Sequence, residues 1–100
     1  MMFKDKMRQL RETQQIPQRK MAAALDIDTA TYCKFEKGER KVQRKMLPII
    51  ADLLHADETE LLTLWLAERV VYEVVSESVA FDVLKVAEEQ VKYLTQKDLQ

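Results

Sequence analysis

The stretch QRKMAAALDIDTATYCKFEKGER, residues 18–40, decides the fold of this chain. It joins a run of small residues, a break bounded by two Asp residues, and an amphipathic segment that carries Lys. Pro17 fits the first turn of a helix, where its missing N–H costs nothing, so a second helix of the chain is predicted over residues 17–25. The pattern therefore begins with a short helix that ends at the break.

The segment after the break has, at each end, a residue that is typical of a helix end. Asp28 is a good N-cap and Gly38 a good helix stop, which predicts a third helix from Thr29 to Lys37. Two short helices joined by a short turn form a helix-turn-helix, whose second helix enters the major groove of DNA. That groove is about 12 Å wide and admits one helix, so the preceding helix must brace it closely. Ala22, Ala23 and Ala24 allow that approach.

Composition favours helices along the whole chain. One Gly and two Pro among 100 residues, together with many helix formers, predict an all-α fold class. Hydrophobic periodicity places further helices on both sides of the helix-turn-helix. Their predicted bounds are about 2–14, 44–54, 58–75 and 79–94, with a frayed end over residues 95–100. The side chains expected to face inward from the fourth helix are Ile49, Ile50, Leu53 and Leu54.

Charge is divided unevenly along the chain. Residues 1–45 carry 12 Lys/Arg against 6 Asp/Glu, whereas residues 46–100 carry 4 against 11. This division suggests that the first part meets a polyanion and that the second part does something else. Cys33 has no disulfide partner, no apolar signal-peptide core opens the sequence, and no apolar run reaches the roughly 18–20 residues of a membrane span. A cytoplasmic protein without a membrane partner is expected.

The fifth and sixth predicted helices carry more apolar residues than a small core needs. Asp57 and Glu60 form a D-x-x-E variant of the capping box at the start of the fifth helix. Apolar residues then cover most of its circumference, so burial on more than one side is expected. These helices could bind a small ligand or complete a core, but a homodimer interface is favoured because surplus apolar surface must be hidden. The predicted interface residues are Trp65, Val70, Tyr72, Val75, Val83, Leu84 and Val91.

The helix-turn-helix stretch and its flanks also carry a family pattern. Gln18 occupies a Gln position, Ala22 a small position, Ile27 and Tyr32 apolar positions, and KFEKG a terminal signature. With these residues the chain resembles the Cro/repressor-type helix-turn-helix regulators of phages and bacteria, also called the XRE family. The resemblance covers roughly residues 3–66, including IIADLLHADETELL. It implies a compact five-helix lambda-repressor-like DNA-binding domain over 1–66 and a helical extension over 67–100, whose added C-terminal helix serves dimerisation.

The resemblance implies which residues meet DNA. Base-edge contacts would come from Thr29, Ala30 and Lys34, with Gln18 at the groove edge. Phosphates would be held, without reading sequence, by the basic loop, which we define as residues 39–45. The complete predicted DNA-binding set is Gln18, Arg19, Thr29, Ala30, Thr31, Cys33, Lys34, Lys37, Arg40, Lys41, Arg44 and Lys45.

Other positions are interpreted against the same family pattern. An Arg of the first helix often pairs with the Glu before the terminal Gly, so Arg11 is expected to pair with Glu36. Asp26 stands where a turn Gly is common, and Asp tolerates left-handed backbone better than most residues. Pro17 stands where a Ser, Thr or Asn cap is usual.

The sequence offers little support for other chemistry. His55 is the only His, so neither a Ser-His-Asp arrangement nor a multi-His metal site can be built within one chain. The Glu residues of the later helices have spacings that place most of them on solvated faces. No enzyme activity, cofactor or metal is therefore expected. Cys33 is either a redox sensor on the third helix or a small filler, and the second interpretation is favoured.

Together these patterns predict a homodimeric, sequence-specific transcription regulator. It would read a near-palindromic operator in double-stranded DNA with Thr29 to Lys37, as the resemblance to repressors and to small autoregulators such as restriction-modification controllers implies. Its expected location is the nucleoid and cytoplasm of a bacterium, or of a cell that carries a phage. The alternative is an antitoxin, or another interaction module, whose acidic C-terminal helices bind a toxin. Self-association of the pure protein favours the first hypothesis.

Overall fold

The helix formers of the sequence produce six α-helices and one 3₁₀ turn, and no strand, in the part of the chain that the structure describes. The structure is a computed structural model that describes the backbone of residues 1–98 and the side chains of residues 1–96. The elements are α1 (Phe3–Thr13), α2 (Gln18–Ala24), α3 (Thr29–Lys37), the 3₁₀ turn Arg44–Met46, α4 (Leu47–Leu53), α5 (Glu58–Val74) and α6 (Ala80–Asp98). The chain forms two compact units, Met1–Glu68 and Arg69–Gln100. The predicted all-α fold class is confirmed.

The helix bounds follow the local signals closely. α3 has the predicted bounds, while α2 begins one residue later than predicted because Pro17 is its N-cap residue. The segment predicted to start near Arg44 begins with the 3₁₀ turn, which is common at helix N-termini. α5 and α6 are separate helices. The predicted fraying is wrong for residues 95–98, because α6 continues to Asp98. Residues 99 and 100 lie outside the described residues.

The core of the first unit contains side chains from its five helices. Their inward stripes follow the helical period of i, i+4 in α1 and α4. The buried apolar residues are Phe3, Met7, Met21, Ala22, Leu25, Tyr32, Phe35, Val42, Leu47, Ile50, Ala51, Leu54 and Leu61.

Two predictions of inward packing were wrong. Ile49 is 43 % exposed, because Ile50 and Leu54 take the inward face of this segment and the preceding position points away from it. Ala23 and Ala24 are exposed, so Ala22 alone provides the close approach of α2. Leu61 is the only buried residue of α5 in the single chain, and the burial expected for its later apolar residues at a dimer interface stays a prediction.

Four helices of the first unit end in the same way. A residue one or two positions past the last helical residue has left-handed backbone, and these residues are Gln15, Asp26, Gly38 and His55 for α1, α2, α3 and α4 respectively. In each case the next N–H reaches back to the last turn, as in the hydrogen bond of 3.0 Å from Ile27 to the Ala22 carbonyl. This pairing satisfies carbonyl groups that a helix end otherwise leaves open. Asp26 thus adopts left-handed backbone, with a φ of 57°.

Long-range hydrogen bonds connect α1 to the later helices. The N-cap residue Met2 gives no side-chain cap, but Glu68 Oε2 accepts from the Lys4 N–H at 3.3 Å. At the other end, Gln14 Nε2 donates to the Leu54 carbonyl at 2.6 Å. α1 is therefore held at both ends by residues that lie far along the chain.

Gly38 allows a substitution test of the end of α3. Its φ is 77°, and an added Cβ would lie 2.6 Å from Lys4 Nζ. We expect Gly38→Ala to lower the free energy of unfolding by about 1–2 kcal/mol, because left-handed backbone is strained for an L side chain while the flexible Lys4 can move away. Urea denaturation measures the loss. Asp26→Gly, at another left-handed position, is the control and should cause no such loss; equal effects of the two variants would contradict the argument.

Candidate nucleic-acid interface

α3 is fixed by the residues of its inner face. Tyr32 and Phe35 are buried in the core that α2 shares, and their rings meet edge to face with centroids 6.3 Å apart. α2 and α3 pack directly against each other across the turn at residues 25–28. Because one face of α3 is committed to this packing, the opposite face is directed outward.

The ends of α3 are capped by the residues that the sequence indicated. Asp28 accepts a hydrogen bond of 2.6 Å from the Thr31 N–H, which satisfies one of the open donors of the first turn. Hydrogen bonds from Thr31 lower the pKa of Asp28, so this carboxylate is charged at neutral pH. Gly38 ends the helix with left-handed backbone. α3 is thus a short helix with defined ends.

The outer face of α3 carries the residues predicted to meet bases. Thr29, Ala30, Lys34 and Lys37 are exposed, whereas Thr31 and Cys33 are half-buried. Ala30, Lys34 and Lys37 follow one another at helical spacing and share one side. This side can present a methyl group and ammonium donors to a groove.

A buried ion pair connects α1 to α3. Arg11 Nε donates to Glu36 Oε2 at 2.6 Å and Arg11 Nη2 donates to Glu36 Oε1 at 2.9 Å. Arg11 Nη1 also donates to the Ile16 carbonyl at 3.0 Å, in the connection between α1 and α2. The predicted pairing of Arg11 with Glu36 is confirmed, and two-point contact fixes the rotation of α3 about its axis.

The environment of this pair keeps both partners charged. Burial alone would raise the pKa of Glu36, but the hydrogen bonds from Arg11 and Gln18 outweigh it and lower that pKa. The hydrogen bond to Glu36 raises the pKa of Arg11. Burial and the nearby Glu36 carboxylate raise the pKa of Tyr32, so its phenol stays neutral. The Tyr32 hydroxyl is buried without a well-aligned hydrogen bond to the described residues.

Gln18 is part of the same network. Its Nε2 donates to Glu36 Oε1 at 3.0 Å, which holds the side chain at the start of α2. The amide nitrogen is used toward Glu36, and the carbonyl oxygen can accept from another group. The neighbouring Arg19 is exposed.

The basic loop follows directly from the end of α3. Its cations Arg40, Lys41, Arg44 and Lys45 are all exposed. Val42, in the middle, is instead buried, with 6 % of its surface exposed. Trp65 Nε1 of α5 donates to the Val42 carbonyl at 2.8 Å. The loop therefore presents cations on both sides of one anchored residue.

Sequence reasoning missed two residues beside this surface. Lys4 of α1 lies against Gly38, so its ammonium group is at the C-terminal end of α3, where a cation is favourable. Trp65 was expected at a dimer interface, but its half-buried side chain packs against the core of the first unit and contacts the basic loop. No sequence pattern links residues so far apart.

The other residues predicted at a dimer interface lie after Glu68. Val70 and Tyr72 are exposed on α5, and Val75 is exposed just after it. Val83, Leu84 and Val91 are exposed on α6. Every side chain described in α6 after Ala80 is exposed. α6 thus carries an exposed apolar stripe, which consists of Leu84, Ala87, Val91 and Leu94.

The described residues give no sign of two other kinds of site. Among them, no group of three or more His, Cys, Asp or Glu side chains is placed to hold a metal ion. Across residues 1–98, no helix has the length and apolar character needed to cross a membrane.

Comparison with known proteins gives one match. A family model described as a helix-turn-helix domain matches residues 5–64, which is more than half of the chain. The matched region runs from α1 into α5 and contains the ion pair, α3 and the basic loop. Searches of curated proteins and of solved structures gave no match.

The ion pair predicts a strong dependence of stability on both of its partners. Arg11→Met should lower the free energy of unfolding by about 3–5 kcal/mol, because the Glu36 charge is then buried without compensation. Arg11→Met combined with Glu36→Leu should cost less than Arg11→Met alone, since no unpaired charge remains. Urea denaturation of the wild type, the two single variants and the double variant gives the coupling energy. Additive losses would show that the two side chains do not depend on each other.

Proposed function

Because the chain belongs to the helix-turn-helix domain family, we propose that it is a sequence-specific, DNA-binding transcription regulator that acts as a homodimer. The domain itself indicates a DNA-binding regulator. The observation that carries the finer proposal is the exposed face of α3, which is continuous along the chain with the exposed cations of the basic loop. Such a surface combines a groove-reading helix with phosphate-binding side chains.

In this proposal α3 reads bases in the major groove. Lys34 donates to guanine O6 and N7, the Thr29 hydroxyl serves several bases, and the Ala30 methyl contacts a thymine methyl. Gln18 lies at the groove edge with its amide orientation set by Glu36. The half-buried Cys33 acts as a small filler between these contacts.

The basic loop supplies the affinity that does not depend on sequence. Arg40, Lys41, Arg44 and Lys45 bind phosphates, and each neutralised phosphate releases counterions. These contacts set the register of α3 on the duplex. They also make binding strongly dependent on salt.

The exposed apolar stripe of α6 supports the homodimer. Leu84, Ala87, Val91 and Leu94 recur with the alternating spacing of three and four residues that helix pairing uses. Most of the stability of a helix in a protein comes from the packing of its apolar side. A second copy would cover it and would place two recognition helices on half-sites about 10 bp apart in a near-palindromic operator.

The same stripe could instead serve a different protein, as in an antitoxin that neutralises a toxin. The two proposals differ in what the purified protein does alone. Selection of binding sites from random duplex DNA, with the mass in solution recorded at the same concentration, separates them. A dyad-symmetric site bound by a dimer supports the regulator. A monomer that binds DNA only without sequence preference, or not at all, supports the antitoxin.

Lys34→Ala and Arg44→Ala should change DNA binding differently, because the first removes a base contact and the second a phosphate contact. Lys34→Ala should weaken binding to the selected operator by about 1–3 kcal/mol and relax base preference at one position in each half-site. Arg44→Ala should weaken binding to all sequences similarly and reduce the salt slope by about one unit. Titration of operator and scrambled duplexes at several salt concentrations measures both. Loss of base preference in Arg44→Ala would contradict its assigned role.

The homodimer predicts a specific effect of charge on the α6 stripe. Val91 is 62 % exposed in the single chain, so Val91→Glu should leave the first unit stable but weaken dimerisation at least about tenfold by burying a charge. Gln96→Glu adds the same charge on the polar side of α6 and is the matched control. Sedimentation equilibrium of both variants tests this, and an unchanged dimer in Val91→Glu would reject the proposed interface.

A further inference from the structure

The centre of the basic loop is anchored from a distance. Trp65 lies 23 residues after Val42 and donates to its carbonyl at 2.8 Å. We propose that Trp65 is a positioning residue for DNA binding, which holds the basic loop in the conformation that presents its cations to phosphates. This inference rests on the proposed function. It assigns Trp65 a role within its own protomer in place of the expected role at a dimer interface.

Two contacts hold Val42 at the middle of the loop. Its side chain is buried in the core, and its carbonyl oxygen accepts the Trp65 indole N–H. Arg40 and Lys41 precede this point, while Arg44 and Lys45 follow it. Fixing the central residue therefore restricts the path of the loop on both sides.

The loop needs such restraint because of its own charge. Four cations within residues 40–45 repel one another, and residues 41–43 have no regular secondary structure. A loop that is ordered before binding loses less conformational entropy when it contacts DNA. The indole N–H contributes that order without itself approaching the nucleic acid.

Trp65 is suited to this task by its position on α5. Its ring packs against the core of the first unit, so the N–H is held in a fixed direction. The donor therefore links the rigid part of the unit to the segment that carries phosphate contacts. An aromatic side chain without the N–H would keep an apolar ring against the core and remove this hydrogen bond.

The test compares Trp65→Phe with Gln14→Ala. Each variant removes one hydrogen bond from a side chain to a distant backbone carbonyl, but the bond of Gln14 goes to Leu54, outside the basic loop. For Trp65→Phe we expect DNA affinity to fall roughly threefold to tenfold. We also expect the salt slope to fall by about one to two units, since each lost phosphate contact contributes about 0.9. Base preference in site selection should not change, because phosphate contacts do not read sequence.

A purely structural role predicts another result. In that case both variants would lower the free energy of unfolding, and neither would change the salt slope of a folded sample. Lys41→Gln supplies a second readout, because its effect on affinity should be smaller in the Trp65→Phe background than in the wild type. An unchanged salt slope in Trp65→Phe, or an unchanged effect of Lys41→Gln, would overturn the proposal.

DNA binding by the wild type separates failure of the proposed function from failure of this inference alone. If the wild type binds no DNA, the proposed function fails and this inference fails with it. If the wild type binds and Trp65→Phe matches it, only the inference fails. Should Trp65→Phe not fold, Trp65 is replaced by 3-benzothienylalanine, which has nearly the same shape as Trp and lacks the N–H. The same loss of salt slope is expected for that protein.

Discussion

The ion pair between Arg11 and Glu36 is the constraint on which the rest of the first unit depends. Glu36 faces inward from α3 and is almost fully buried, so its charge would be costly without a partner. Arg11 meets it with two hydrogen bonds and uses a third on the Ile16 carbonyl. One side chain thus fixes α1, the connection to α2 and the rotation of α3. That rotation decides which residues of α3 face outward.

The short helices of this unit need tertiary contacts such as this ion pair. α2 and α4 each have seven residues, and an isolated helix of that length is not stable in water. Their stability comes from packing and from the hydrogen bonds at their C-terminal ends. At these ends a left-handed residue lets the next N–H donate to a carbonyl of the last turn. A surface carried by helices held in this way is already ordered before it meets a partner, which favours binding.

Much of the site could be predicted because its signals are local. Asp28 and Gly38 mark the ends of α3 through the chemistry of caps, and both act as predicted. Burial was harder to predict, since Ile49 and its neighbour Ile50 are equally apolar and only one faces the core. Trp65 shows the same difficulty. Its apolar ring suggests an interface, whereas its N–H has a partner within the same unit.

The sequence by itself determined the helical class, the bounds of α3 and the separation of a basic first part from an acidic second part. These properties depend on composition, period and caps, which act over a few residues. Only the tertiary structure decided that Glu68 caps α1, that Gln14 reaches Leu54 and that Trp65 holds the basic loop. Those contacts join residues that are 64, 40 and 23 positions apart. The physical reason is that such pairs form only after the core has set the helices side by side, and no local pattern records that arrangement.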